Sequence, residues 1–115
     1  YSIISGSRLS EASSLSNIGV IHMVKGDLKK AIEYNSKALI VRQEIGDRFG
    51  YAQSLGNKAG IKIRQGRWVE ALDLSRKALK IFADMGAARE MAASLRNIAR
   101  IEAVLAEQKT DEDEK

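Results

Sequence analysis

The sequence predicts an all-α solenoid built from antiparallel helix pairs, on three observations. Residues 52–66 (AQSLGNKAGIKIRQG) recur upstream at 12–26 (ASSLSNIGVIHMVKG) and downstream at 92–106 (AASLRNIARIEAVLA), a period of 40 residues with no insertion. Across the copies Ala12/Ala52/Ala92, Ser14/Ser54/Ser94, Leu15/Leu55/Leu95, Asn17/Asn57/Asn97 and Ile21/Ile61/Ile101 hold register, as expected of stacked repeats in which each unit buries its apolar face against the next. Between the glycines, apolar and small residues return at three-and-four spacing, the mark of amphipathic helices. Proline is absent, which suits helices joined by glycine turns.

Taken in order, residues 1–5 align with 41–45 and 81–85, and Gly6 aligns with Gly46 and Gly86. The chain is therefore expected to open on the last turn of a helix, to turn at Gly6, and to be a fragment of a longer array. Leu9, Ala12, Leu15, Ile18, Gly19 and Ile21 give the first full helix its buried stripe, with Ser7 or Ser10 as its cap. Gly26 ends that helix, and Asp27 caps a second one whose buried side is Leu28, Ala31, Ile32, Leu39 and Val41. Gly46 and Asp47 repeat the punctuation.

In the next cycle Trp68, Ala71, Ala78, Leu79 and Ile81 stand where Leu28, Ala31, Ala38, Leu39 and Val41 stood. The 11 identities between residues 12–50 and 52–90 are mostly small or apolar, so packing sets the repeat. Gly19, Ala59 and Ala99 on the first helices, and Ala38 and Ala78 on the second, mark where helix axes come close. Residues 88–108 supply one more first-type helix without a partner. The expected organisation is a solenoid at 1–108 of about two and a half repeats, comprising a repeat tail at 1–6, repeats at 7–46 and 47–86, and a half repeat at 87–108. An acidic tail follows at 109–115, and its apolar-free end TDEDEK is expected to be disordered.

Composition narrows the chemistry. No cysteine is present, which removes disulfides, thiolate metal sites and thiol nucleophiles and fits a cytoplasmic setting. No apolar run approaches the length of a membrane span, and no signal peptide is visible. The formal charge of +4 divides unevenly, because residues 107–115 hold five acids and two bases, leaving 17 bases against 10 acids, or +7, in the rest. His22 is the single histidine, a poor start for a metal site or a catalytic triad, and is expected to be a packing residue. GNKAG at 56–60 lies within a helix and lacks the Lys-Ser or Lys-Thr ending of a phosphate loop. Lys58, Lys62, Arg64 and Arg67 carry positive charge, but the aromatics form no stacking platform, so nucleic acid is disfavoured. A membrane surface is disfavoured too, since each apolar stripe has a helix to pack on. No cofactor, metal or enzymatic activity is expected.

KGDLKKAIEYNSKAL at 25–39 and QGRWVEALDLSRKAL at 65–79, each with a glycine at the turn and alanines at fixed distances beyond it, resemble the tetratricopeptide repeat (TPR) family. The usual repeat of that family has about 34 residues. The longer period, with GDRFGYAQSLGN at 46–57, is similar to the branch that includes the spindle adaptor LGN, kinesin light chains and bacterial TPR regulators. The resemblance implies a right-handed α-solenoid that acts as a non-enzymatic protein-interaction scaffold, its first helices lining a concave groove. Asn35 and Ser75 depart from the family's aromatic in the second helix, and His22, Lys62 and Glu102 from its tyrosine in the first. Lys58 replaces an isoleucine of the other copies, and its amine is expected to reach solvent or an acid.

On the groove side, three-and-four spacing selects Ser13, Ser16, Asn17, Val20 and Val24 from the first copy. It selects Gln53, Gly56, Asn57, Gly60 and Arg64 from the second, and Ala93, Arg96, Asn97 and Arg100 from the third. Asn17, Asn57 and Asn97 form a ladder of amides, each offering donor and acceptor to an extended backbone; the resemblance likewise implies contact with a ligand's main chain. Val20 and Val24 suit an apolar end of a ligand, and Arg64, Arg96 and Arg100 an acidic one. The expected partner is a protein or peptide segment. A second expectation, of a structural kind, is self-association through apolar surface such as Ile98, Ile101 and Leu105 left open at the solenoid ends.

Overall fold

The computed structural model describes the backbone of residues 2–114 and the side chains of residues 7–114. Five helices follow one another: α1 (Ser2–Val24), α2 (Leu28–Glu44), α3 (Arg48–Arg64), α4 (Trp68–Asp84) and α5 (Ala88–Glu114). Each packs on its neighbour in sequence, while α1 touches α3 only sparsely. The result is an elongated all-α repeat solenoid of 60 × 33 × 19 Å, and its radius of gyration of 15.6 Å exceeds the roughly 13–14 Å of a compact domain this long.

One device produces all four reversals of direction. Gly26, Gly46, Gly66 and Gly86 hold φ of 87°, 73°, 73° and 69°, the left-handed region in which any side chain is strained. At Gly46, for example, the glycine N–H donates to the Gln43 carbonyl (3.2 Å) and the following Asp47 N–H donates to the Arg42 carbonyl (2.9 Å). The same pair of bonds recurs at the other three turns. Asp27 and Asp47 then cap the helices that follow, accepting from Lys30 N (3.2 Å) and Gly50 N (3.0 Å). At α4 that position is Arg67, and the side-chain cap bond is missing.

Two expectations about the ends need correction. Gly6 is not a turn: it lies within α1, where a glycine is tolerated at a cost of about 1 kcal/mol and is followed by Ser7 rather than by a capping aspartate. Tyr1 and Lys115 lie outside the described residues. The stretch expected to be a disordered tail is helical through Glu114. Ala106 occupies the place of Gly26 and Gly66, so nothing demands a left-handed residue there and the helix propagates through good helix formers. Thr110 Oγ donates to the Ala106 carbonyl (3.0 Å) within it.

The core is narrow and rich in alanine. Ala12, Ala31, Ala38, Ala52, Ala59, Ala71 and Ala78 are all buried, which brings helix axes close. Gly19 shows how close: a Cβ there would sit 3.3 Å from the Ala31 carbonyl oxygen. Larger groups close the centre, where Ala52 and Leu55 meet Ala78 and Phe82, and Phe49 packs edge-on to Phe82 with ring centroids 5.6 Å apart. Ile98 and Ile101, expected to be open, are buried, and Leu105 is half-buried. The preceding helix α4 covers that side of α5. The uncovered side carries Leu95 instead, 52% exposed where its counterpart Leu55 is 5%.

Polar groups also enter this core, Ser54 and Ser94 among them. Asn35, in the family's aromatic position, is buried and its Nδ2 donates to the Ser54 carbonyl (3.0 Å), tying α2 to α3. Ser75 is equally buried, but its hydroxyl has no partner. Arg42 stands where Phe82 stands one period later, and its Nη1 donates to the Gly50 carbonyl at 2.7 Å. Gly50 makes room for it, since a Cβ there would overlap the Asp47 carboxylate and lie 2.8 Å from Arg42 Nη1. Outside the core, half-buried Lys58 lines a recess with Lys62, Glu70, Asp73 and Leu74. Lys62 there pairs with Glu70 at 3.0 Å.

These observations yield two stability predictions. Asn35→Ala should cost about 1–2 kcal/mol, seen as a fall of several degrees in Tm, whereas Ser75→Ala, which removes an unpartnered hydroxyl, should leave Tm unchanged or raise it. Equal losses would contradict the assigned roles. Glu70 is held below its ordinary pKa first by the hydrogen bond from Lys62 and then by the charges of Lys62 and Arg67. Its contribution is therefore present above the ordinary glutamate range and fades as pH falls through the depressed value. Urea midpoints followed from about pH 7 to about pH 3 should fall less steeply for Glu70→Gln than for wild type; identical slopes would remove the pair from the account.

Candidate functional site

Because the chain reverses at each turn, α1, α3 and α5 run in one direction, and because α2, α3 and α4 are each 17 residues long, residues one period apart line up across them. Asn17, Asn57 and Asn97 thus occupy equivalent rungs. They line one cavity of about 430 Å³, together with Val20 and Gln53. None of the three amides makes a side-chain hydrogen bond among the described residues. The scaffold therefore leaves their donors and acceptors available.

The middle rung has the least side-chain bulk around it. Gly56 and Gly60 flank Asn57 within α3, and a Cβ at either would meet nothing within 4 Å. Glycine inside a helix costs about 0.5–1 kcal/mol relative to alanine, and no packing requirement offsets that here. Gly19 makes the contrast, since its missing Cβ lets α2 approach.

Ser13, Ser16, Gly56 and Ala93 line the cavity as expected, whereas Val24, Gly60, Arg64, Arg96 and Arg100 lie outside it. Val24 is 73% exposed at the end of α1. Arg64, at the end of α3, donates from Nη1 to the Met23 carbonyl (3.4 Å), so it rests on the C-terminus of α1, where a cation is favoured. Arg96 and Arg100 are exposed on α5. Arg100 continues the stripe of Ala93 and Asn97, while Arg96 sits at the edge between the groove and the uncovered side of α5. The basic end of the groove is thus narrower than the three arginines suggest.

The cavity holds groups that the groove-side pattern misses. Arg42, Phe82, Glu90 and Ser94 also line it. Arg42 and Phe82 come from the second helices, which the selection of first-helix stripes passes over. A signal was present one period apart: Phe82 and Glu90 stand where Arg42 and Gly50 stood, so the positive charge of Arg42 coincides with a glycine on the next helix. Ser16 lines the same cavity, and its hydroxyl is enclosed without a partner. His22, half-buried, stacks on Tyr34 with ring centroids 5.5 Å apart. No helix among the described residues is long and apolar enough to cross a membrane.

Residues 10–84 match the family described as Tetratricopeptide repeat. No curated protein shows significant similarity to the chain. Proteins of this repeat family generally serve as protein–protein interaction modules rather than as enzymes. The match spans well over half of the sequence, from within α1 to the end of α4, and with the alanine-lined solenoid and its glycine turns it establishes that the chain belongs to the tetratricopeptide repeat family.

Proposed function

We propose that this chain binds an extended peptide or protein segment in the groove lined by α1, α3 and α5. The observation that carries the reading is Asn57 between Gly56 and Gly60. A free amide stands on a helix whose flanking side chains are absent for no packing reason, so a ligand backbone can approach α3 closely. Asn17 and Asn97 extend the same donor–acceptor pattern to either side. An amide of this kind bonds peptide N–H and C=O groups whatever the sequence, so the ladder supplies affinity and the flanks supply selectivity. Val20 offers an apolar contact beside Asn17, and Arg100, one turn beyond Asn97, favours an acidic side chain near the α5 end. Gln53 adds a further donor and acceptor next to Asn57. The chain acts as a non-enzymatic scaffold in this reading, and its activity is the recruitment of its partner.

The test uses a peptide selected from a random library against the wild-type chain. Asn57→Ala should weaken its binding about tenfold or more with little change in Tm. Gly56→Ala and Gly60→Ala should act in opposite directions on two readouts, raising stability by about 0.5–1 kcal/mol each while lowering affinity. Unchanged affinity in all three variants places the binding surface elsewhere.

A further inference from the structure

The side of α5 that would receive a following second-type helix lies open. Ala52 and Leu55 of α3 are covered by Ala78 and Phe82 of α4, yet their equivalents Ala92 and Leu95 are exposed on α5. With Ala99, Ala103 and Ala106, also exposed, they make a stripe of small and apolar groups along the helix. In α1 and α3 the chain turns at glycine soon after this stripe and lays the next helix across it. In α5 the helix runs on through Ala106 to Glu114, so the chain does not turn back there. The face is shaped for an antiparallel helix.

Charge indicates which helix. Arg89, Arg96, Glu107 and Glu114 are all exposed, and none has an ion-pair partner among the described residues. At 3.6 residues per turn all four fall along one edge of the stripe, the two arginines a heptad apart and the two glutamates a heptad apart. When two copies of a helix pair antiparallel about a two-fold axis, the same edge of each meets, and positions equidistant from the axis come together. An axis between Ile101 and Glu102 sets Arg96 opposite Glu107 and Arg89 opposite Glu114 simultaneously. A parallel pairing would instead place the acidic runs at 111–114 of the two copies side by side.

We propose that two copies of this chain associate through the open face of α5, antiparallel and two-fold symmetric, with Arg89 and Arg96 of each facing Glu114 and Glu107 of the other. The alanines let the axes approach to about 8 Å, Leu95 is the main apolar anchor, and the charged edge sets orientation and register. The second α5 takes the place on the stack that α4 takes on α3. The contact is self-complementary and closes after two copies rather than growing into a filament.

Sedimentation equilibrium of the 115-residue chain from micromolar to millimolar concentration tests this. The expected result is a monomer–dimer equilibrium weakened by salt. Leu95→Glu should raise the dissociation constant about tenfold or more while leaving the circular dichroism spectrum and Tm of the dilute monomer unchanged. Arg96→Glu and Glu107→Arg should each weaken the dimer about threefold or more, and the two changes combined in one chain should restore it. A chain monomeric at every concentration overturns the proposal. So does a double variant no tighter than the single ones, or association that ignores Leu95→Glu and is abolished by Ile21→Glu on the opposite end of the solenoid.

Discussion

The positive-φ glycine that ends each of the first four helices is the constraint on which the structure depends. Each one satisfies the last helical carbonyls and reverses the chain in the same way, so the helices between them have equal length. Equal length makes the first helices parallel and keeps residues one period apart at one level. The groove, its asparagine rungs and the alternation of covered faces all follow from that spacing. Where the glycine is missing, at Ala106, the helix continues and the pattern of cover breaks.

Alanine at the helix crossings is the complement of those turns. It brings neighbouring helices close enough that backbone atoms become contact surface, as the Ala31 carbonyl beside Gly19 shows. Close approach also explains how polar groups are tolerated inside. Asn35 reaches a carbonyl of the next helix directly, and Arg42 does the same because Gly50 yields the space. The polar contacts therefore run between repeats, where they fix the angle at which one pair meets the next.

Much of the fold was legible because its determinants are local. A glycine followed by an aspartate specifies a turn and a cap without reference to the rest of the chain, and Gly26–Asp27 and Gly46–Asp47 act that way. Gly6 lacks the aspartate, being followed by Ser7, and the helix runs through it. The burial of Ile98 and Ile101 depends on which flank of α5 meets α4, and periodicity names a stripe without dividing it between two neighbours. The asparagine rungs were readable from register, whereas the place of Arg64 depends on a carbonyl of another repeat. Arg42 was hidden for a similar reason: it belongs to a second helix and reaches the groove only through the gap left by Gly50.

The solenoid thus presents a ladder of uncommitted amides on one side and an uncovered helix face at one end, and both arise from the same repeat geometry. Selective labelling of asparagine side-chain amides, followed by NMR while a library-selected peptide is titrated in, tests the central claim most directly. The account predicts that the amide signals of Asn17, Asn57 and Asn97 shift together on one binding curve while that of buried Asn35 stays in place. Saturated binding with those three signals unmoved would contradict it.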